Sequence, residues 1–330
     1  MKQVALITSG GDGAGINSTI EIMAKNPQID LFGFHGGYNG ILSSDPIHLT
    51  EKYCENRALD GIHLVKTGRS KIPYTKEGRD QLRRKLALDN FDCLVVCGGN
   101  GSQKAAQLLQ IEGTNTIFVP MTVDNDVNGS DYSVGFDTAL NKMIEVLYGL
   151  HDTSANMPGR IFMVEVLGGN SGNLALESAL AGASDLAIIP EYSTKKSDIT
   201  NIVKEKLKQK NSLIIMCSES AYEDKNYQSG NQGVSLDIAT SIERETGIRV
   251  RKSIMGFYIR AGRPSFKDAL IASKIGAVVS QSIMENHYGV MVGVRNEQIH
   301  RFDFHQVTKK LSSLNPQTVE IARYYKKIIH

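Results

Sequence analysis

Three times in this sequence a short apolar run passes straight into a pair of glycines and then into a stretch with helical spacing. Residues 4–8 lead into Ser9-Gly10-Gly11-Asp12-Gly13-Ala14-Gly15 and a helix over 16–24. Residues 91–97 lead into Gly98-Gly99-Asn100-Gly101-Ser102 and a helix through 111. Residues 161–167 lead into Gly168-Gly169-Asn170-Ser171-Gly172 and a helix to 183. A recurring strand, glycine turn and helix implies parallel sheets joined by right-handed crossovers. The run 91–97 is nearly all apolar, as expected of a strand covered on both faces. Further strands are expected over 32–35, 62–65, 116–119, 186–189, 213–217 and 290–294, with 250–260 extended. Helices are expected over 76–88, 135–150, 235–245 (ending at Gly247), 264–283 and 316–329, and another capped by Ser197. The expected class is α/β: two similar doubly wound lobes with mainly parallel sheets, the first holding two glycine turns and the second holding the third.

Length and charge narrow the function. At 330 residues the chain is one large or two medium α/β domains, and 41% apolar residues suffice for a sizeable core. A net charge of +2 with both signs interspersed gives no reason to expect nucleic acid or a membrane surface as partner. Cys54, Cys93, Cys97 and Cys217 show no metal-like clustering and read as buried free thiols. The first apolar run is too short for a signal peptide, and none reaches the ~18 residues of a membrane span. The expectation is a soluble cytoplasmic protein.

The segment Pro120-Met121-Thr122-Val123-Asp124-Asn125-Asp126 packs two carboxylates, an amide and a hydroxyl past the end of an apolar run. In open parallel sheets ligands sit outside the carboxyl ends of strands, and an Asp-x-Asp pair there can hold a proton or a metal. Taken alone the segment is more readily a polar turn, since Asp and Asn favour turns. Each glycine turn alone can equally ease helix packing or cradle an anion with backbone N–H groups at a helix N-terminus. Neither of the first two fits the Walker or the dinucleotide fingerprint. Two such turns beside an Asp-x-Asp segment favour a polyphosphate with a metal, and hence phosphoryl transfer.

These residues resemble the ATP-dependent 6-phosphofructokinase family of bacterial type along nearly the whole chain. The resemblance rests on Thr8–Asp12 with Gly15 and Asn17, on Gly98–Ser102, and on the long run from Thr122 through Gly129-Ser130-Asp131-Tyr132-Ser133-Val134-Gly135-Phe136-Asp137-Thr138-Ala139. It also includes Asp152-Thr153-Ser154, Arg160 with Val164-Glu165-Val166, residues 243–247, and Asn296-Glu297-Gln298. It implies a glycolytic kinase that uses ATP with Mg²⁺ to phosphorylate the 1-hydroxyl of fructose 6-phosphate, built as a homotetramer with sites shared across a subunit contact. It implies a nucleotide-binding lobe of residues 1–137 plus about 258–308, and a sugar-phosphate lobe of about 138–257 plus 309–330. Asp124 is then the general base, Asp126 helps hold the metal with Asn100, and Thr122 steadies the reactive end. Gly11, Lys71, Gly99, Asn100, Gly101 and Ser102 are expected on the nucleotide. Arg260 and Glu219 are expected on the sugar phosphate of the same subunit, and Arg160 and Arg251 on that of a neighbour.

The sequence departs from the family pattern at several of these places. Asn100 stands for an Asp, Met121 for the Gly of ATP users or the Lys of pyrophosphate users, and Lys71 for an Arg. Phe257 stands for a His, Gly169 for an Arg, Leu167 for a Met, and Gly13-Ala14 for a small residue and Pro. The alternatives are therefore a catalytically weak paralogue that acts by association, or a kinase for a different sugar phosphate. Glu21 and His151 replace effector-site arginines, leaving Lys25, Lys208 and Lys210, so the usual anionic effectors are expected to bind weakly or not at all.

Overall fold

The computed structural model describes residues 1–192, 195–221, 233–307 and 314–328. In chain order the elements are β1 (Lys2–Ser9), α1 (Ile16–Ala24), β2 (Ile29–Phe34), α2 (Tyr38–Ser43), β3 (Ile47–His48), α3 (Glu51–Cys54), α4 (Lys76–Leu88), β4 (Cys93–Gly98), α5 (Asn100–Ile111) and β5 (Thr116–Pro120). There follow α6 (Phe136–Asn156), β6 (Ile161–Val166), α7 (Asn173–Ala181), β7 (Leu186–Ile188), α8 (Lys196–Leu207), β8 (Leu213–Ser218), α9 (Val234–Thr246), β9 (Val250–Ile254), α10 (Phe266–Met284), β10 (Val290–Arg295), β11 (Gln298–Asp303) and α11 (Pro316–Tyr324). They divide into two compact units, Met1–Thr138 with Arg260–Ser312, and Ala139–Ile259 with Ser313–His330.

In the first unit a seven-stranded sheet runs β11-β10-β5-β4-β1-β2-β3. Its inner strands are parallel, and only the edge strands β11 and β3 pair antiparallel. Successive residues of each inner strand feed two separate cores. Val4, Leu6, Val95, Cys97, Ile117 and Val119 pack with Ile16, Ile20, Ile275 and Val279 of α1 and α10. Ala5, Ile7, Leu94, Val96 and Phe118 pack with Leu82, Leu86, Ala105 and Leu109 of α4 and α5. This two-sided alternation makes the sheet doubly wound, and full burial of a Val, Leu, Ile or Phe side chain contributes about 1.5–3 kcal/mol.

The second unit holds a smaller sheet, β7-β8-β6-β9, parallel throughout. Ile161, Met163, Leu213 and Ile215 pack against Ile199, Val203, Ile238 and Ile242 of α8 and α9. The α/β class with mainly parallel sheets is therefore as expected. The four cysteines are free and buried.

Several local expectations are corrected. Residues 62–65 form no strand; Leu64 and Val65 are buried, but their backbone is satisfied by side chains. Leu64 N donates to Asn17 Oδ1 at 2.8 Å and Val65 O accepts from Thr8 Oγ1 at 2.7 Å. The extended segment from Val250 ends at Ile254 and turns into a 3-10 helix, Gly256–Arg260. Ser197 does not cap α8, which starts at Lys196 behind Lys195. Ser265, rather than Pro264, sets the start of α10, its hydroxyl accepting from Asp268 N at 3.2 Å. The last helix stops at Tyr324, after which Lys326 takes φ +52° and Ile328 bridges to Ala187. Residue 329, expected at that helix's end, lies outside the described residues.

Candidate active site

Three neighbouring parallel strands of the large sheet end level. Ser9 of β1 lies beside Gly98 of β4, and Gly98 lies beside Pro120 of β5. The first glycine turn, the second, and the Asp-rich segment therefore leave the sheet at one place. They open into a single cavity of about 580 Å³. Gly11, Lys71, Gly99, Asn100, Gly101, Ser102, Thr122, Asp124, Asp126 and Arg260 all line it. It also takes in Arg69, Ser70 and Tyr74, which the sequence reading did not single out. The signal available for them was a basic, polar stretch following a buried one, at the mouth of strand ends.

The strand ends are packed too closely for side chains. A Cβ on Gly98 would collide with the Ser9 carbonyl, and Ser102 Oγ donates to that same carbonyl at 3.0 Å. Met121 N donates to Gly98 O at 2.8 Å, tying β5's exit to β4's. Gly99 caps α5, whose first turn is Asn100-Gly101-Ser102, so its free backbone N–H groups and the positive end of the helix dipole face the cavity. Arg69, Lys71 and Arg260 add cationic side chains to this wall, which suits an anionic ligand.

The Asp-rich segment is a braced turn. Asp124 N donates to Thr122 Oγ1 at 3.2 Å. Asn125 takes φ +50° and is fixed by its side chain, Oδ1 accepting from Ser133 N at 2.8 Å and Nδ2 donating to Asp131 O at 3.3 Å. Asp124 and Asp126 flank this anchored residue, and both reach the cavity. Burial, and then the charge of Asp124, push the Asp126 carboxyl up to about 6.

Two of the departures acquire a physical account. Asn100 is engaged at both ends of its amide: Nδ2 donates to Asp126 O at 2.9 Å and Oδ1 accepts from Asn128 N at 3.3 Å. It braces the loop that carries the carboxylates. Met121 lines the cavity, yet it is fully buried and joins the apolar core that also holds Ile16 and Val134. No cationic group stands at that position on the cavity floor.

The remaining expected site residues lie in the second unit, at two ends of its sheet. Glu219 follows β8 at the carboxyl end, where its Oε1 accepts from Gly168 N at 3.2 Å and Gly169 N at 2.9 Å. Arg160 immediately precedes β6, and Arg251 lies opposite Phe162 near the amino end. A six-residue strand, about 20 Å long, separates Arg160 from Glu219. Phe257 is exposed on the 3-10 turn after β9.

Among the described residues no three His, Cys, Asp or Glu side chains gather as a metal cage. Mg²⁺ characteristically takes only one or two carboxylates together with waters and substrate phosphates, so Asp126 beside Asn100 fits a metal that arrives with a polyphosphate.

Residues 3–283 match the family described as phosphofructokinase. A similar curated protein is the ATP-dependent 6-phosphofructokinase of Clostridium tetani, 31% identical over 330 residues, with 98% of this chain and 99% of that one covered. ATP-dependent 6-phosphofructokinase 3 of Bacteroides thetaiotaomicron is 32% identical over 321 residues, covering 94% of each chain. Among solved structures, a phosphofructokinase from Saccharomyces cerevisiae superposes with a TM-score of 0.82 at 23% identity, over 99% of this chain and 47% of that one. A pyrophosphate-dependent phosphofructokinase from Marinobacter aquaeolei gives 0.82 at 20% identity, over 96% and 86%. At those identities the structures speak for the fold.

Proposed function

The chain belongs to the phosphofructokinase family, and we propose that it transfers the terminal phosphoryl group of ATP to the 1-hydroxyl of fructose 6-phosphate. One observation carries the reading. Ser9, Gly98 and Pro120 lie level, which brings two helix-opening glycine turns and the Asp124–Asp126 turn to one cavity.

Asp124 takes the proton of the attacking hydroxyl, and Thr122, whose hydroxyl accepts from Asp124 N, steadies that end of the segment. Gly11 and residues Gly99–Ser102 meet the nucleotide phosphates through backbone N–H groups, with Lys71 supplying positive charge. Asp126 would hold Mg²⁺, and Asn100 Oδ1 would offer its second lone pair. The ion supplies charge neutralisation on the phosphates. ATP as donor is supported by the ATP-dependent relatives and by the absence of any lysine at the position of Met121. Arg260 and Glu219 bind the sugar phosphate.

Arg160 and Arg251 stand at the end of their sheet opposite Glu219, which supports their serving the site of a neighbouring subunit in a homotetramer. Mixing an Asp124→Asn chain with an Arg160→Ser chain then restores activity that neither has alone. Without such complementation, sharing is rejected. The reading as a whole is tested by a coupled assay with ATP and pyrophosphate side by side, with Mg²⁺ present. ATP-dependent formation of fructose 1,6-bisphosphate is expected. No turnover with either donor, unaltered by Asp124→Asn, would favour the weak-paralogue alternative.

A further inference from the structure

Beneath the candidate site lies a carboxylate that no part of the proposed chemistry uses. Asp268 of α10 is fully buried. Its Oδ1 accepts from Tyr132 Oη at 2.6 Å and from Gly135 N at 2.7 Å. Its Oδ2 accepts from Thr138 N at 2.8 Å and from Thr138 Oγ1 at 2.5 Å. Four donors thus converge on one carboxylate, all from residues 132–138. Burial pushes its carboxyl up, and these hydrogen bonds oppose that rise.

The segment so held is the one that anchors the Asp-rich turn. Ser133 N and Asp131 O fix the side chain of Asn125, the residue between Asp124 and Asp126. Val134 N donates to Pro120 O at 3.0 Å, next to Met121 and Thr122. The near end of the segment is pinned to the β10–β11 hairpin, where Val294 N donates to Ser130 Oγ at 2.9 Å and Asn296 N to Asp131 Oδ2 at 2.8 Å. The far end depends on Asp268. The same helix, α10, begins at Phe266, six residues after the cavity-lining Arg260.

We infer that Asp268 is a positioning residue for phosphoryl transfer, its carboxylate holding residues 132–138 so that Asn125 sets Asp124 and Asp126 in the cavity. The inference rests on the assignment of Asp124 and Asp126 to that chemistry. A carboxylate is needed because an amide offers one acceptor and would present its own N–H groups to further donors. Misplacing reacting groups by about an ångström costs up to about a hundredfold in rate without loss of binding.

The test compares Asp268→Asn, Tyr132→Phe, Thr138→Val and Thr138→Ser in the full chain, with steady-state kinetics and circular dichroism. Asp268→Asn is expected to lower kcat about tenfold to a hundredfold while both KM values stay within about threefold. Thr138→Val is expected to lower kcat, and Thr138→Ser, which keeps the hydroxyl on Oδ2, to restore it to within about twofold. Tyr132→Phe removes a single donor and serves where Asp268→Asn fails to fold. Its effect on kcat is expected to be less than multiplicative with that of Asn125→Ala, because both act on one chain of contacts. Unchanged kcat in Tyr132→Phe and Thr138→Val, or losses that track only the folded fraction, overturns the inference. A wild-type chain without kinase activity overturns instead the reading on which it rests.

Discussion

The guanidinium of Arg260 lies directly on the backbone of Gly11, where no space remains for a side chain, and its Nη1 donates to the carbonyl of Asp12 at 3.3 Å. Only 8% of Arg260 is exposed, so this is a buried charge held against the first glycine turn. Gly11 therefore leaves the space that the guanidinium occupies, beside its proposed contact with the nucleotide phosphates. Gly11→Ala is expected to displace Arg260 and raise the KM for both ATP and sugar phosphate about tenfold, a loss of about 1.4 kcal/mol on each. Steady-state kinetics with a melting curve checks it; unchanged KM values in a folded variant would count against both roles.

Asp126 carries a stability cost when it is ionised. Its carboxyl, pushed up to about 6 by burial and the charge of Asp124, is penalised when ionised in the folded chain. Because the folded value lies above the unfolded one, the penalty is fully present above pH 6 and is relieved as pH falls from 6 towards the ordinary 3.8. Asp126→Asn is expected to stabilise the ligand-free protein by about 1–3 kcal/mol at neutral pH, and not below about pH 4, while lowering kcat at least about a hundredfold. In the wild type, kcat/KM is expected to rise through pH about 6 as Asp126 ionises. Urea unfolding at two pH values and a pH–rate profile test these together; an Asp126→Asn variant less stable at pH 7 contradicts the account.

Much of the sheet was legible because strands buried on both faces cannot hide: residues 93–97 and 117–119 are apolar without interruption. The edges were not. β11 escaped notice because its hairpin turns on Asn296 and Glu297, both at positive φ, without the glycine that normally marks such a turn. Residues 62–65 look like a strand by composition, yet Asn17 and Thr8 satisfy their backbone, a long-range arrangement no local pattern encodes. At the site, residue types and strand ends pointed to Asp124, Asp126 and the glycine turns. The bracing by Asn100 and Asp268 joins residues 26 and more than 130 positions apart, which one sequence cannot reveal.

Effector binding follows from ion pairs. Lys25 Nζ lies 2.7 Å from Glu21 Oε1, Lys208 Nζ 2.6 Å from Glu205 Oε1, and Lys210 Nζ 2.5 Å from Asp185 Oδ1. Glu21 also accepts from Ala58 N at 3.0 Å, and His151 Nε2 bonds Gly182 O at 2.8 Å. Each lysine has an acidic neighbour that opposes an anion, although exposed pairs are individually weak. ADP at millimolar concentration is expected to leave the sugar-phosphate saturation curve unchanged. Tight activation in a kinetic titration would refute this.

Asp124 is proposed to accept the proton of the attacking hydroxyl. The direct measurement is kcat for ATP-dependent fructose 1,6-bisphosphate formation by Asp124→Asn, paired with fructose 6-phosphate affinity by calorimetry. The account predicts a kcat lower by about a thousandfold or more, with affinity within about threefold of wild type. A variant that turns over within threefold of wild type, about what loss of no essential group would give, contradicts it.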